Sequence, residues 1–227
     1  MSLSERFTKI NLGIARTAGD KTAMTIRLHR GDLPEISRYK GAVAIDTETM
    51  GLDVFRDRLC VVQLSPGDGS ADVVQISPHV ADAPNLKRLL ADKSLLKIFH
   101  FARFDLGVLC RAFGVMPEPA YCTKIASRLA RTYTDKHGLK DLVREILGQD
   151  LSKQQQSSDW GAPELSEAQI AYAAADVTHL HALKDRLDAM LVREGREQLA
   201  AACFRFLPER VRLDLAGFAT DDIFAHS

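Results

Sequence analysis

The chain has 227 residues, 46% of them hydrophobic, and its 30 lysines and arginines equal its 30 aspartates and glutamates. Such a chain can form one domain with a substantial core, and none of its apolar runs approaches the roughly 18 residues that span a bilayer. We therefore expect no membrane partner. The zero net charge is unexpected for a protein that grips long nucleic acid with many cations. Either the protein does not bind nucleic acid, or its ligand is so short that a compact pocket and bound metal ions supply the positive charge.

The first 23 residues mix Ser, Thr, Lys, Arg, Asp and Glu without a clear apolar face. They contain no signal-peptide core, and we interpret residues 1–23 as a disordered N-terminal extension. An organellar transit peptide is the alternative, but Glu5 and Asp20 count against it because such peptides are poor in acidic residues. The first strand-like run follows Met24, where we place the start of the folded domain.

The four cysteines are widely spaced, and no two of them form a C-x-x-C pair. This pattern is typical of reduced, buried thiols, so we expect a cytoplasmic protein without disulfides. The cysteines are Cys60, Cys110, Cys122 and Cys203.

Five short apolar or alternating runs indicate β-strands. The second is an apolar stretch of the kind that forms a buried central strand, whereas the first indicates an edge strand. The third and fourth are separated by a turn rich in Pro and Gly at 65–70, which predicts a β-meander. The five runs are Thr25–Leu28, Ala42–Asp46, Leu59–Leu64, Asp72–Ile76 and Leu95–His100.

Helices are predicted after most of these strands, from apolar residues at helical spacing. A capping box of Ser166 and Gln169 indicates the start of the longest helix, which is predicted to run through Asp176 toward Arg193. Gly148 indicates a helix end, and the polar segment after it is predicted to be a loop. The other predicted helices are Phe104–Phe113, Thr123–Arg131 and Leu139–Leu147.

Strands followed by interleaved helices predict an α/β fold, with a mixed central β-sheet flanked by α-helices. The sequence contains no linker and no internal repeat, so we predict one domain over residues 24–202. Residues 203–227 are too few for a separate module. We interpret them as a C-terminal appendage that contacts a neighbouring subunit or the substrate.

Four acidic residues lie beside or inside apolar segments, where an unpaired charge is costly. Asp46 and Glu48 are two apart at the end of the central strand, so both carboxylates point to one side. With Asp105 and Asp176 they would form a cluster that hard divalent cations neutralise well, which predicts a magnesium or manganese site. Asp105 also lies in the first turn of a predicted helix, so stabilisation by the helix dipole is its alternative role.

Tyr172 lies four residues before Asp176, so the two side chains share one helix face. The residues around them are alanines, whose small size lets the helix approach the acidic strand end closely. Tyr172 alone would more often be a core aromatic residue with a satisfied hydroxyl. Its spacing to Asp176 predicts a place in the site.

These motifs resemble, in order, those of the DEDD exonucleases, in the tyrosine-bearing branch that contains ribonuclease D: Asp46-Thr47-Glu48, then Asp105, then Tyr172 with Asp176. The stretch SKQQQSSDW at 152–160 is similar to the segment that precedes the third motif in ribonuclease D relatives. The whole chain is similar to the short alphaproteobacterial nano-RNase C group. The resemblance implies a ribonuclease H-like fold and hydrolysis from the 3′ end that releases nucleoside 5′-monophosphates.

The resemblance also implies two divalent metal ions, Mg²⁺ or Mn²⁺, which bind the attacking and leaving oxygens of a phosphodiester. Asp46 would bridge them, Glu48 and Asp176 would complete one ion, and Asp105 would hold the other directly or through water. The Tyr172 hydroxyl would orient the nucleophilic water, since its unperturbed pKa near 10 makes it a poor base.

Substrate contacts are predicted at several further positions. Leu52 matches the family residue that wedges between the last two bases, although it would otherwise be an ordinary loop leucine. Phe101 is a candidate for base stacking, with core packing as its alternative. The remaining predicted substrate contacts are Thr47, His100, Gln155 and Trp160.

Three functional hypotheses follow. The first is a metal-dependent 3′–5′ exoribonuclease for short RNA oligonucleotides, with dinucleotides as its substrates. The second is a ribonuclease D-like processing enzyme that acts on longer RNA or on DNA. The third is a nucleic-acid-binding protein that has lost catalysis, although none of the four acids is missing. Nano-RNase C relatives imply a closed, symmetric homo-oligomer, an octamer by this resemblance.

Overall fold

A single mixed sheet forms the centre of the computed structural model, which describes residues 8–10, 24–78, 82–152 and 154–226. Strand β3 pairs antiparallel with β4 and parallel with β6, which confirms the predicted mixed sheet. The strands are β1 (Thr8–Ile10), β2 (Ile26–Arg30), β3 (Ala42–Thr49), β4 (Leu59–Ser65), β5 (Ala71–Gln75), β6 (Leu96–Phe99) and β7 (Ala120–Cys122), in the spatial order β1-β2-β5-β4-β3-β6-β7.

Helices cover both faces of the sheet. No helix of the described residues combines the length and the apolar character needed to cross a membrane. The helices are α1 (Pro84–Ala91), α2 (Ala102–Phe113), α3 (Thr123–Ala130), α4 (Leu139–Leu147), α5 (Glu167–Thr178), α6 (Leu180–Arg193) and α7 (Glu197–Leu213), followed by a π-helical turn, Asp214–Phe218.

The alternation of side chains along each strand separates two cores. One core lies under α3 to α6, which we call the α5 layer, and includes Ala44 of β3. The other lies under α1, α2 and α7, which we call the α2 layer, and includes Val43 and Ile45. By this alternation Asp46 and Glu48 point toward the α5 layer, whereas Thr47 between them points toward the α2 layer.

Several local predictions are confirmed. The Ser166 hydroxyl accepts a hydrogen bond from the Gln169 backbone N–H, and the Gln169 side chain accepts one from the Ser166 backbone N–H, so the predicted capping box begins α5. Gly148 ends α4 in the left-handed conformation at φ 66°. The predicted meander is formed by β4 and β5, which pair antiparallel.

One predicted helix is two helices in the structure. The helix expected from Ser166 to Arg193 is interrupted at His179 and forms two helices, α5 and α6. The two parts bury different surfaces: Ala173 and Val177 of α5 pack on the sheet, whereas α6 also packs against α3. A straight helix could not follow the sheet and α3 together, so the spacing of apolar residues could not reveal the break.

The predicted domain boundary after residue 202 is wrong, because α7 runs through it from Glu197 to Leu213. Leu207 and Val211, which belong to the predicted appendage, are buried in the α2 layer. The hydrophobic core of the domain therefore includes residues of α7. Helices α1 and α7 and strands β1 and β7 were not predicted from the sequence.

The prediction that residues 1–23 are disordered is wrong for three of them. Thr8–Ile10 pair antiparallel with Ile26–Leu28 and add an edge strand to the sheet. The other residues of that segment lie outside the described residues.

We expect a chain that ends after residue 202 to be far less stable than one that ends after Ala219. The first truncation removes Leu207 and Val211 from the α2 layer, at about 1.5–3 kcal/mol for each buried side chain, whereas the second keeps all of α7. Thermal unfolding by circular dichroism should show a loss of about 10 °C or more for the shorter chain. Equal unfolding temperatures for both would contradict the assignment of α7 to the core.

Candidate active site

Three carboxylates from two elements converge beside the sheet. Asp46 and Glu48 project from β3, and Asp176 projects from α5, the helix that packs on this part of the sheet. One oxygen of each carboxylate lies within 4.8 Å of the other two. The two-residue spacing of Asp46 and Glu48 brings them to the same side, as the sequence predicted, and the packing of α5 adds the third carboxylate.

Asp105 reaches the same region from the other layer of the fold. It lies in the first turn of α2, is 2% exposed, and its Oδ1 accepts a hydrogen bond of 2.7 Å from the Thr47 hydroxyl. The negative charge of Asp46 acts on it, so the two carboxylates are near neighbours. The buried side chain of Thr47 thus positions Asp105 in this structure, and the predicted contact of Thr47 with substrate stays a prediction.

The four carboxylates are held in a setting that disfavours their charge. Burial raises the pKa of Asp46 to about 7. Burial and then the charges of Asp46, Asp176 and Asp105 raise the pKa of Glu48 to about 10. The pKa values of Asp105 and Asp176 are also raised, first by burial and then by Asp46.

No lysine or arginine in the described ranges forms an ion pair with any of the four acids. The protein itself therefore leaves much of this negative charge without a cation. Three convergent ligand atoms that are all carboxylate oxygens suit a hard divalent ion such as Mg²⁺ or Mn²⁺. The residues present fit the predicted metal site.

Tyr172 lies against this cluster. Its side chain lies close enough to Asp176 for the two groups to shift each other's pKa, as expected for residues one helical turn apart. Burial raises the pKa of Tyr172, and the charges of Asp176 and Glu48 raise it further. With these groups around it, the phenol keeps its proton at neutral pH, so it serves as a hydrogen-bond donor rather than as a base.

Trp160 lies beside Tyr172. The two ring centroids are 6.0 Å apart, and the tryptophan is 3% exposed. This burial leaves little surface for the substrate contact predicted for Trp160, and its ring instead supports the tyrosine. Gln155, the other predicted contact in this segment, accepts a hydrogen bond of 2.6 Å from the Ser158 hydroxyl within its own turn.

Gln63 is a site residue that the sequence analysis missed. It lies opposite Asp46 in the β3–β4 register, and its Nε2 donates to Asp46 Oδ2 at 2.7 Å. The signal in the sequence is the run LCVVQLS, in which one long polar side chain interrupts a strand that is buried throughout. Only the pairing of β4 with β3 shows what this side chain contacts.

His100, a predicted substrate contact, is neutral in the structure. The Thr123 hydroxyl donates to the Phe99 carbonyl oxygen at 3.2 Å, so its oxygen accepts a hydrogen bond from His100 Nδ1 at 2.9 Å. Burial, and then the charge of Lys124, lowers the pKa of His100 to about 3. The Nε2 atom then keeps a lone pair and can accept a hydrogen bond.

A cleft of about 560 Å³ adjoins the chain segments that carry the acids. Leu52 and Phe101 line it and are largely exposed, at 86% and 48%. Phe101 has a positive φ of 66° at the start of α2, a costly conformation for a residue with a large side chain. The Lys124 Nζ lies 4.4 Å from the centre of its ring. The strained backbone and the exposed ring are typical of a contact surface.

Residues of the C-terminal turn also line this cleft. Arg103 in the first turn of α2 makes two hydrogen bonds, of 2.6 and 2.7 Å, to the Asp214 carboxylate. It also donates to the carbonyl oxygen of Ala219 at 3.0 Å. Arg210 donates to Asp214 at 2.5 Å and to the Phe218 carbonyl oxygen at 2.7 Å. These contacts hold Asp214 and Ala219 at the wall of the cleft.

The sequence matches a family model described as 3′–5′ exonuclease over residues 32–192, most of the length of the chain. Ribonuclease D of Granulibacter bethesdensis is 40% identical over 159 residues, which cover 70% of this chain. The match spans only 40% of that relative's own length.

Two solved structures extend this similarity. The Brucella melitensis NrnC structure with bound pGG is 61% identical, has a TM-score of 0.88, and matches over 90% of this chain and 100% of its own. The structure of Escherichia coli RNase D is 30% identical with a TM-score of 0.68, over 77% of this chain and 46% of its own. The fold of this chain therefore has counterparts in nucleases over most of its length.

We expect the metal-free protein to lose stability as the pH rises from about 5 to about 9. Folding raises the pKa of Asp46 to about 7 and that of Glu48 to about 10. The protonated forms of these groups therefore contribute fully to the folding stability below their unfolded pKa values near 4, and this contribution is lost as the pH rises through the folded values. The measurement is thermal unfolding in a chelator across this range.

In the same chelator at high pH, Glu48→Gln should raise the unfolding temperature by several degrees, since 1 kcal/mol corresponds to about 2–4 °C in a protein of this size. The matched control is Glu145→Gln, whose carboxylate pairs with Arg131 outside the cluster and which should lower stability. A pH-independent unfolding temperature, or a destabilising Glu48→Gln, would contradict this electrostatic account.

Proposed function

The chain belongs to the 3′–5′ exonuclease family, and from that membership we propose that it hydrolyses short oligoribonucleotides from the 3′ end to nucleoside 5′-monophosphates. The observation that carries this proposal is the convergence of Asp46, Glu48 and Asp176 within 4.8 Å, without a cationic partner among the described residues. A half-buried, all-oxygen cluster of this kind is suited to divalent ions that act on phosphodiesters.

Asp46, Glu48 and Asp176 would hold a divalent ion directly, with Asp105 beside them for a second. Two such ions, Mg²⁺ or Mn²⁺, supply a nucleophile from bound water and stabilise charge on the attacking and leaving oxygens. The raised pKa values of Asp46 and Glu48 mean that metal binding must displace protons from the cluster at neutral pH.

Tyr172 is proposed to orient the attacking water. Its ring packs against that of Trp160, and its side chain lies close enough to Asp176 for their charges to interact. Because its pKa is raised, the phenol positions water through hydrogen bonds and does not remove the proton itself.

The cleft lined by Leu52 and Phe101 is proposed to hold the bases of a short substrate. A cleft of about 560 Å³ suits one or two nucleotides better than a long strand. Zero net charge agrees with a ligand that has few phosphates. The 61% identical NrnC of Brucella melitensis was solved with bound pGG, which supports a dinucleotide-sized ligand here.

A ribonuclease D-like activity on longer RNA or on DNA is the second candidate. It is favoured by the 40% identity to ribonuclease D of Granulibacter bethesdensis, although that match spans 40% of the relative's length. The same carboxylates would serve either substrate, so only the preference for length separates the two functions.

We also propose that the protein acts as a symmetric homo-oligomer, with an octamer as the form expected from its nano-RNase C relatives. Large apolar side chains are exposed near the C-terminus, where the rings of Phe206 and Phe224 are 6.1 Å apart. Ile223 beside them is 48% exposed. Such a patch is typical of an interface between protein surfaces.

The proposed function is tested by single-turnover cleavage of 5′-phosphorylated RNAs of two, three, seven and about twenty nucleotides, with Mn²⁺ or Mg²⁺. We expect the dinucleotide to be cleaved fastest and to yield only nucleoside 5′-monophosphates. Asp105→Asn should lower the rate by at least about 100-fold, the scale on which the loss of one electrostatic group at a reaction centre is felt. Asp188→Asn is the control, because Asp188 bonds Tyr121 and Lys184 outside the cluster.

Faster cleavage of the twenty-nucleotide RNA than of the dinucleotide would instead support the ribonuclease D-like function. Absence of cleavage with every RNA and both metals would contradict an enzymatic role. Equal activities of Asp105→Asn and Asp188→Asn would show that Asp105 has no role in the reaction.

Phe101→Ala tests the proposed base contact. Loss of a stacked base costs about 1–3 kcal/mol, so we expect dinucleotide KM to rise about 5- to 150-fold with a much smaller change in kcat. Tyr133→Ala is the control, since that ring is also exposed but is not among the residues of the cleft. An unchanged KM in Phe101→Ala would exclude stacking at this position.

A further inference from the structure

We infer that Gln63 is a positioning residue for the Asp46 carboxylate, an inference that rests on the proposed metal site. Gln63 lies on β4 directly opposite Asp46 and, by the alternation along the strands, on the same side of the sheet. Its Nε2 donates to Asp46 Oδ2 at 2.7 Å. Through this hydrogen bond, strand β4 holds the Asp46 carboxylate that β3 carries.

Gln63 is buried with its amide oxygen unpaired within the described part of the chain, which points to a specific role for the bond that its amide nitrogen makes to Asp46. Gln63 is 0% exposed, and its Oε1 has no hydrogen-bond partner among the described residues. A buried amide oxygen without a partner lowers the stability of the folded protein. An apolar side chain in this strand would avoid that cost, so the remaining advantage of glutamine is the charge-assisted bond from Nε2.

The orientation of the Gln63 amide follows from its partner. A carboxylate accepts hydrogen bonds, so the NH₂ group must face Asp46 and the carbonyl oxygen must face away. This arrangement occupies one acceptor position of Oδ2 and restricts rotation of the carboxylate. Oδ1 and the remaining lone pair of Oδ2 are then held in a constant direction relative to Glu48 and Asp176.

Gln75 provides a natural comparison within the same sheet. It lies on β5, is also buried, and also leaves its Oε1 unpaired among the described residues. Its Nε2, however, donates to the carbonyl oxygens of Ala162 at 2.8 Å and Pro163 at 3.3 Å. The two glutamines therefore share residue type, burial and an unpaired oxygen, and they differ in whether the amide holds a carboxylate or a backbone segment.

The experiment compares Gln63→Met with Gln75→Met in the full chain. Methionine is similar in length and flexibility to glutamine but cannot donate the hydrogen bond. Affinity for Mn²⁺ is measured by isothermal titration and by electron paramagnetic resonance without substrate, and unfolding temperature is measured in chelator. We expect Gln63→Met to weaken Mn²⁺ binding about 10- to 100-fold, the usual effect of removing a group that orients a metal ligand. Gln75→Met should bind Mn²⁺ within about twofold of the wild type.

Gln63→Asn is the second variant. It keeps the amide but shortens the side chain, so it should lose the contact with Asp46 and weaken Mn²⁺ binding as Gln63→Met does. Wild-type affinity in either Gln63 variant would overturn the positioning role, as would equal losses in Gln63→Met and Gln75→Met. If the wild type itself bound no Mn²⁺, the proposed metal site would fail together with this inference.

Discussion

The burial of like charges at one end of β3 is the constraint on which the rest of this structure depends. Burial raises the pKa values of Asp46, Glu48, Asp105 and Asp176, and the charge of Asp46 raises those of the other three further. Such a cluster opposes folding unless protons or cations neutralise it. The two cores on either side of the sheet must therefore stabilise the fold enough to offset the repulsion among these acids, which are placed for binding cations and not for stability.

Neighbouring side chains hold two of the acids in their direction. Thr47 donates to Asp105, and Gln63 donates to Asp46. The two donors come from β3 and β4, so these acids are fixed both by the elements that carry them and by neighbouring strands. A site organised in this way loses little freedom when a cation binds, because its ligands are already directed.

The helix that carries Asp105 also lines a cleft. Phe101 before this helix and residues of the C-terminal turn both belong to the lining of that cleft. Asp214 receives hydrogen bonds from both Arg103 of α2 and Arg210 of α7, so the wall of the cleft is tied to the helix that also bears Asp105. The same helix thus contributes to the acidic cluster and to the wall of the cleft.

The sequence by itself determined the features that depend on neighbouring residues: the shared side of Asp46 and Glu48, the helical spacing of Tyr172 and Asp176, the capping box at Ser166 and the mixed sheet. Only the tertiary structure decided which side chains meet across elements. Gln63 faces Asp46 because β4 pairs with β3, α6 packs against α3 as well as on the sheet, and α7 belongs to the core because it packs against α2. These contacts join residues far apart in the chain, and local periodicity carries no information about such pairs.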